Sequence, residues 1–137
     1  MKKSSFFDEI PDGLPSLRRA YVLTEKASRI GFDWPRIEGV LEKLDEELRE
    51  FKGALSIGNR KRVREELGDL LFALVNIARF LQINPEEALD RTIGKFLSRF
   101  HYIEVSLRKK GKSLQESSLA EMDKLWEAAK KKKRGFK

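Results

Sequence analysis

The sequence has no cysteine and only one histidine, His101, in 137 residues. Without cysteine, disulfides and thiolate metal sites are excluded, which fits a cytoplasmic protein. With a single histidine as well, zinc loses its usual ligands. A ferritin-like di-iron centre needs a Glu-x-x-His on each of two helices and is excluded for the same reason. Long apolar runs are also missing. The nearest, "LLFALVNIARFL" (Leu70–Leu81), is broken by Asn76 and Arg79 and falls short of the roughly 18 residues of a membrane span. The N-terminal "MKKSSFFDEIPDG" has two lysines but no apolar segment behind them, so no signal peptide is expected.

What is present is a globular composition, 40% hydrophobic beside 37% charged, at a length that suits one domain with a real core. The net charge of +7 would suggest nucleic acid, but five lysines and one arginine of it lie in "KKKKRGFK" (Lys130–Lys137). A nucleic-acid binder spreads its charge along a face of the fold. A solvated basic tail is the expectation, with contact to a polyanion as the alternative.

The periodicity predicts five helices and no strand. The first runs from about Pro15 to Arg29, with Gly31 after its end. Pro35 suits the first turn of the second helix, whose apolar stripe is Ile37, Leu41, Leu44, Leu48, Phe51 and Leu55. "SIGN" (Ser56–Asn59) is the break, with Gly58 able to turn left-handed and Asn59 to cap the next helix. The third helix carries Val63, Leu67, Leu70, Leu71, Leu74, Ile77, Ala78 and Leu81, with Phe72 and Phe80 outside that stripe. It is apolar over much of its circumference, which predicts a central position. "NPEE" (Asn84–Glu87) opens a fourth helix running to about Lys110, with Leu89, Ile93, Phe96, Phe100, Ile103 and Leu107 inward. A capping box, "SLAE" (Ser118–Glu121), opens the last. Short connections between such helices imply an all-α antiparallel helical bundle. It divides into an N-terminal extension (1–13), a helical domain (14–130) and a basic tail (131–137).

Two acidic stretches disturb this pattern: "LDEELREF" (Leu44–Phe51) and "EELGDLL" (Glu65–Leu71). Glu47 lies within about 20° of Val40 and about 40° of Phe51 around the helix axis, so it faces the core. If the second and third helices fold back at Gly58, Glu50 and Glu66 are each eight residues from it, and Glu47 and Asp69 each eleven. The four then form two level pairs. One such pair at 4 Å repels by about 4 kcal/mol at an effective dielectric of 20. Such a cluster needs protons or a multivalent cation, and all-oxygen ligation points to Mg²⁺ or Mn²⁺. The alternative is a set of solvated acids paired with Lys43, Arg49, Arg62 and Arg64, the reading that suits Glu42, Asp45 and Glu65. Asn76, seven residues beyond Asp69, shares nearly the same face; it either hydrogen-bonds a sugar or base, or is satisfied inside the bundle.

"EELRE", "EELGDLLFALVNIARFL" and "ALDRTIGKFLSRF" together resemble the MazG family of nucleoside triphosphate pyrophosphohydrolases. The E-E-x-x-E and E-x-x-D pattern reads here as Glu46-Glu47-x-x-Glu50 and Glu66-x-x-Asp69. The similarity runs from about Asp12 to Lys130 and is closest to the second, catalytic domain of two-domain members. It implies a bundle completed by dimerisation, and attack of water on the α-phosphorus of a nucleoside triphosphate, giving a monophosphate and pyrophosphate. It further implies Glu47, Glu50, Glu66 and Asp69 as Mg²⁺ ligands, with Glu46 beside them as a water-activating or outer group. Lys95 and Arg99 match a "KF…RF" motif and are implied to hold the triphosphate, against a surface role from spacing alone. Trp126 and Lys130 match positions near the substrate; Trp126 either stacks on a base or belongs to the core. Two rivals stand beside this: a related enzyme of dUTPase-like or phosphoribosyl-ATP-cleaving type, and a non-enzymatic helical module that binds nucleic acid or protein.

Overall fold

A computed structural model describes the backbone of residues 5–134, with side chains through Lys132. The first four residues of the N-terminal extension and the last three of the basic tail lie outside the described residues. The described residues form five α-helices: α1 (Ser16–Arg29), α2 (Ile37–Ile57), α3 (Arg60–Phe80), α4 (Pro85–Lys109) and α5 (Leu119–Arg134). A single 3₁₀ turn, Leu114–Glu116, precedes α5, and no strand occurs among the described residues. The all-α expectation holds. No described helix is long and apolar enough to cross a membrane.

The helix ends follow local chemistry. Gly58 closes α2 at φ +79°, a left-handed conformation that a side chain disfavours. Asn59 then caps α3 by accepting from the Arg62 N–H at 3.2 Å. Asn84 does the same for α4, accepting from the Glu86 and Glu87 N–H groups. Two expectations need correction. Pro35 lies in the loop before α2, which begins at Ile37; just before it, Asp33 is engaged by the Trp34 N–H and the Arg79 side chain. The "SLAE" box is half made: the Ser118 hydroxyl accepts from the Glu121 N–H. The Glu121 carboxylate instead turns to Ser117 and Lys112. The complete capping box belongs to Ser113 and Glu116.

The chain divides into two compact units, residues up to Ala88 and from Leu89 onward. In the first, α2 and α3 form an antiparallel hairpin and α1 packs on α3. The hairpin seam passes through Val40, Glu47 and Ala54 of α2 and Glu66 and Ala73 of α3. This differs from the leucine stripes read from spacing, since Leu41, Leu48, Leu55, Leu67, Leu71 and Leu74 are exposed. Both helices carry an apolar arc wider than one neighbour covers. The alanines let the backbones approach, leaving the leucine rows on the flanks. In the second unit α5 lies against α4 through Trp126 and Phe96, and Ile103 and Leu107 are buried. The first half of the predicted inward row of α4 is open instead, with Leu89, Ile93 and Phe96 exposed.

Candidate active site

The seam holds carboxylates where a helical hairpin normally holds leucines. Glu47 is only 5% exposed and Glu66 only 9%. Counting from Gly58 describes their placement well: ligand oxygens of Glu47, Glu66 and Asp69 lie within 4.8 Å of one another. Glu50 lies against Glu66 from the adjacent turn but stands outside that three-oxygen group. Cations on the same helices compensate part of the charge. Lys43 Nζ donates to Glu47 Oε1 at 3.0 Å and to Glu46 at 3.0 Å, and Arg62 approaches Glu66 Oε1 at 3.9 Å. The second oxygens are different: Glu47 Oε2 and Glu66 Oε2 are buried and accept no hydrogen bond.

Titration behaviour follows from this crowding. Burial raises the Glu66 carboxyl above its ordinary value, and the neighbouring Glu50, Asp69 and Glu47 raise it further. Lys43 is raised too, by its bonds to Glu47 first and Glu46 second. Unpartnered buried oxygens on two helices, converging with an exposed third carboxylate, suit a hard divalent cation. Glu46 stands apart. Its carboxylate ends on Lys43 in a neighbouring groove lined by Trp34, Gly39, Glu42 and Arg49.

Beside the acids is a cavity of about 310 Å³ lined by Trp34, Lys43, Glu47, Asp69, Phe72, Ala73 and Asn76. Asn76 is 4% exposed. Its Oδ1 accepts from Arg79 Nε at 3.3 Å and Nη2 at 3.2 Å. The Arg79 guanidinium is itself buried and forks onto Asp33, at 2.9 and 2.7 Å. That fork holds the Asp33 carboxyl below its usual range. Asp33 Oδ1 also accepts from the Trp34 N–H at 2.9 Å, which sets the loop that carries the tryptophan.

The remaining expected site residues belong to the second unit. Lys95 is exposed on α4. The Arg99 guanidinium lies 5.3 Å from the Trp126 ring, and its Nε is buried without a partner. Trp126 also packs 5.7 Å from Phe96, and Lys130 pairs with Glu127 at 3.6 Å. Trp126 is therefore half-buried between an arginine and a phenylalanine.

Residues 36–103 match the MazG nucleotide pyrophosphohydrolase domain. The chain is 44% identical over 129 residues to the nucleoside triphosphate pyrophosphohydrolase/pyrophosphatase MazG of Thermotoga maritima, covering 94% of this chain and 49% of that protein. It is 34% identical over 129 residues to the nucleoside triphosphate pyrophosphohydrolase of Escherichia coli K12, covering 93% and 49%. The chain belongs to the MazG family. It spans about half the length of these curated relatives.

The MazG match takes in the four clustered acids, Glu46, Asn76, Lys95 and Arg99, while Trp126 and Lys130 lie beyond it. Several residues that shape the pocket escaped the sequence reading. Trp34 and Phe72 form apolar walls, and Arg79 and Asp33 hold Asn76. Their signal was weak: Arg79 interrupts an apolar run, and Asp33-Trp34 follows a glycine stop. Gly39 was missed as well. A Cβ there would meet Trp34 Cδ1 at 2.9 Å, so only glycine leaves the indole its place.

Proposed function

We propose that this chain hydrolyses nucleoside triphosphates to a nucleoside monophosphate and pyrophosphate, with Mg²⁺, or Mn²⁺ in its place, held by Glu47, Glu50, Glu66 and Asp69. The observation that carries this reading is the pair of buried carboxylate oxygens, Glu47 Oε2 and Glu66 Oε2, that accept no hydrogen bond beside Asp69. A water oxygen bonds to the α-phosphorus as the bond from that phosphorus to the bridging oxygen breaks, and pyrophosphate leaves. Held by these carboxylates, a divalent cation would supply polarisation of the phosphoryl oxygens and a more acidic bound water. The chain's residues supply position and charge, the larger part of phosphoryl-transfer catalysis.

Lys43, tied to Glu46 and Glu47, places an ammonium at the cavity edge where phosphate charge would collect. Glu46 enters through that lysine. Lys95, Arg99 and Lys130 serve as further phosphate contacts in this reading. Trp126 serves as an aromatic surface near the base, and Asn76 as the polar contact to the nucleoside. Residues 14–130 form the working domain between the N-terminal extension and the basic tail. The exposed rows Leu67, Leu71, Leu74 and Leu41, Leu48, Leu55 favour a homodimer, because single apolar residues are ordinary on a surface but contiguous rows are not. Pyrophosphate release from a panel of ribo- and deoxynucleoside triphosphates, with Mg²⁺ and with chelator, tests the reaction. Release that requires Mg²⁺ supports it; a folded, metal-loaded protein that releases none overturns it. Cleavage of dUTP alone, or of phosphoribosyl-ATP alone, would place the chain with the related pyrophosphohydrolases.

A further inference from the structure

The cavity beside the acids contains a side-chain amide whose orientation is dictated from behind. An asparagine can present either its oxygen or its NH₂, and the two are alternatives of nearly equal shape. Arginine has only donors, so the Asn76 oxygen must face the Arg79 fork, and two bonds at 3.3 and 3.2 Å hold it there. Arg79 cannot turn away. Its remaining reach is taken by Asp33 at 2.9 and 2.7 Å, and its side chain is 6% exposed. The amide nitrogen of Asn76 is left without a hydrogen bond among the described residues, on the wall of a cavity lined also by Trp34 and Phe72. A side-chain N–H₂ that faces a cavity with no protein acceptor is open to water or to an acceptor atom on a ligand that enters.

The geometry points to Asn76 as the base-reading residue: a fixed hydrogen-bond donor for an acceptor atom on the nucleobase, with Arg79 and Asp33 as the positioning residues that prevent the amide from flipping. This rests on the cavity being a nucleotide site and adds to that reading what the site discriminates. Asn76 is seven residues from Asp69, about 10 Å along α3, a separation that suits the span from an α-phosphate at the acids to the edge of its base. Aromatic walls suit a flat ring better than a sugar. A donor without an acceptor beside it favours bases that present a carbonyl oxygen or ring nitrogen there, and penalises those that present an amine or N–H.

The test is the dissociation constant of non-hydrolysable α,β-imido analogues of the four deoxynucleoside triphosphates and their ribo counterparts, with Mg²⁺, for the wild type and three variants. The wild type should separate the bases by about tenfold, the worth of one buried hydrogen bond. Asn76→Ala should collapse that spread. Asn76→Asp keeps an acceptor for Arg79 but presents an oxygen to the cavity, and should reverse the order of bases. Arg79→Lys keeps a cation for Asp33 but loses the fork, and should narrow the spread while the mean affinity changes less. A variant that merely loosens the fold weakens every base by one factor and leaves the spread intact, which overturns the inference. So does a wild type without base preference, or an Asn76→Ala effect confined to the ribo-to-deoxy ratio. Pyrophosphate release with a spread indifferent to Asn76 sinks the inference and leaves the proposed reaction standing. An Asn76-dependent spread without any hydrolysis does the reverse.

Discussion

Glu47 and Glu66 occupy positions where an apolar residue would stabilise the hairpin, and the difference is measurable. Each keeps one oxygen on a cation and one oxygen without a partner. Without metal, burial and the neighbouring carboxylates raise the Glu66 carboxyl above its ordinary value. A raised folded value gives a contribution to stability that is complete below the ordinary carboxylate range and disappears as pH rises through the folded value. In chelator, the Glu66 contribution to thermal stability should therefore fall as pH rises above the ordinary carboxylate range, and Glu66→Gln should flatten that dependence. Adding Mg²⁺ to the native protein should release protons, since the ligand must be ionised. The same Glu66→Gln change, and Glu47→Gln, should lower Mg²⁺-dependent turnover by more than the roughly 10–100-fold that losing an outer-shell partner costs. Normal hydrolysis by either variant would remove that residue from the ligand set. Stability and activity should thus move in opposite directions at Glu66, as expected for a site that strains the fold.

At the level of elements, the loop between α1 and α2 matters as much as the helices it joins. Asp33 carries the Arg79 fork and the Trp34 N–H together, so one loop residue ties α3 to a cavity wall. Asp33→Ala leaves a buried guanidinium without its counter-charge and should cost about 3 kcal/mol, the low end for breaking a buried pair because the Asp33 side chain is one-fifth exposed. Urea denaturation checks this. Gly39→Ala acts on the same wall from α2. Its Cβ would stand 2.9 Å from Trp34 Cδ1, so the indole must shift. We expect a rise in KM for nucleotide with the fold retained, and a quenching experiment on the tryptophans should show the displacement. An unchanged KM would mean that the Trp34 wall does not touch substrate.

At the scale of the whole molecule, the leucine rows of α2 and α3 are the part of the packing left open to solvent. Leu71 is 51% exposed and Leu74 48% exposed, although the sequence placed them inward. A second copy of the chain is the partner proposed for them. Replacing Leu71 and Leu74 by lysine should lower the sedimentation coefficient from that of a dimer to that of a monomer, and activity should fall with it if helices from both copies complete the site. If the doubly substituted protein sediments like the wild type, that face is not the dimer interface.

Much of this was open to reading in one dimension. Helix number, the left-handed turn at Gly58 and the caps at Asn59 and Asn84 are local decisions, made by φ preference and by side chains bonding to nearby N–H groups. The acid register was legible for the same reason: a short turn between two helices makes equal counts from Gly58 equal heights. The core face was not. When apolar residues cover more than half of a helix, spacing cannot say which arc meets the neighbour, and the seam ran through Val40, Glu47 and Ala54 with the leucines left outside. Nor could spacing join Asp33 to Arg79 across 46 residues, or show that Arg79 turns Asn76 by taking its oxygen. Composition and local chemistry determined the helices and the charge that a cation must answer. Only packing in three dimensions decided which oxygens stay bare and which way the amide points, because burial and hydrogen-bond direction depend on neighbours distant in the chain.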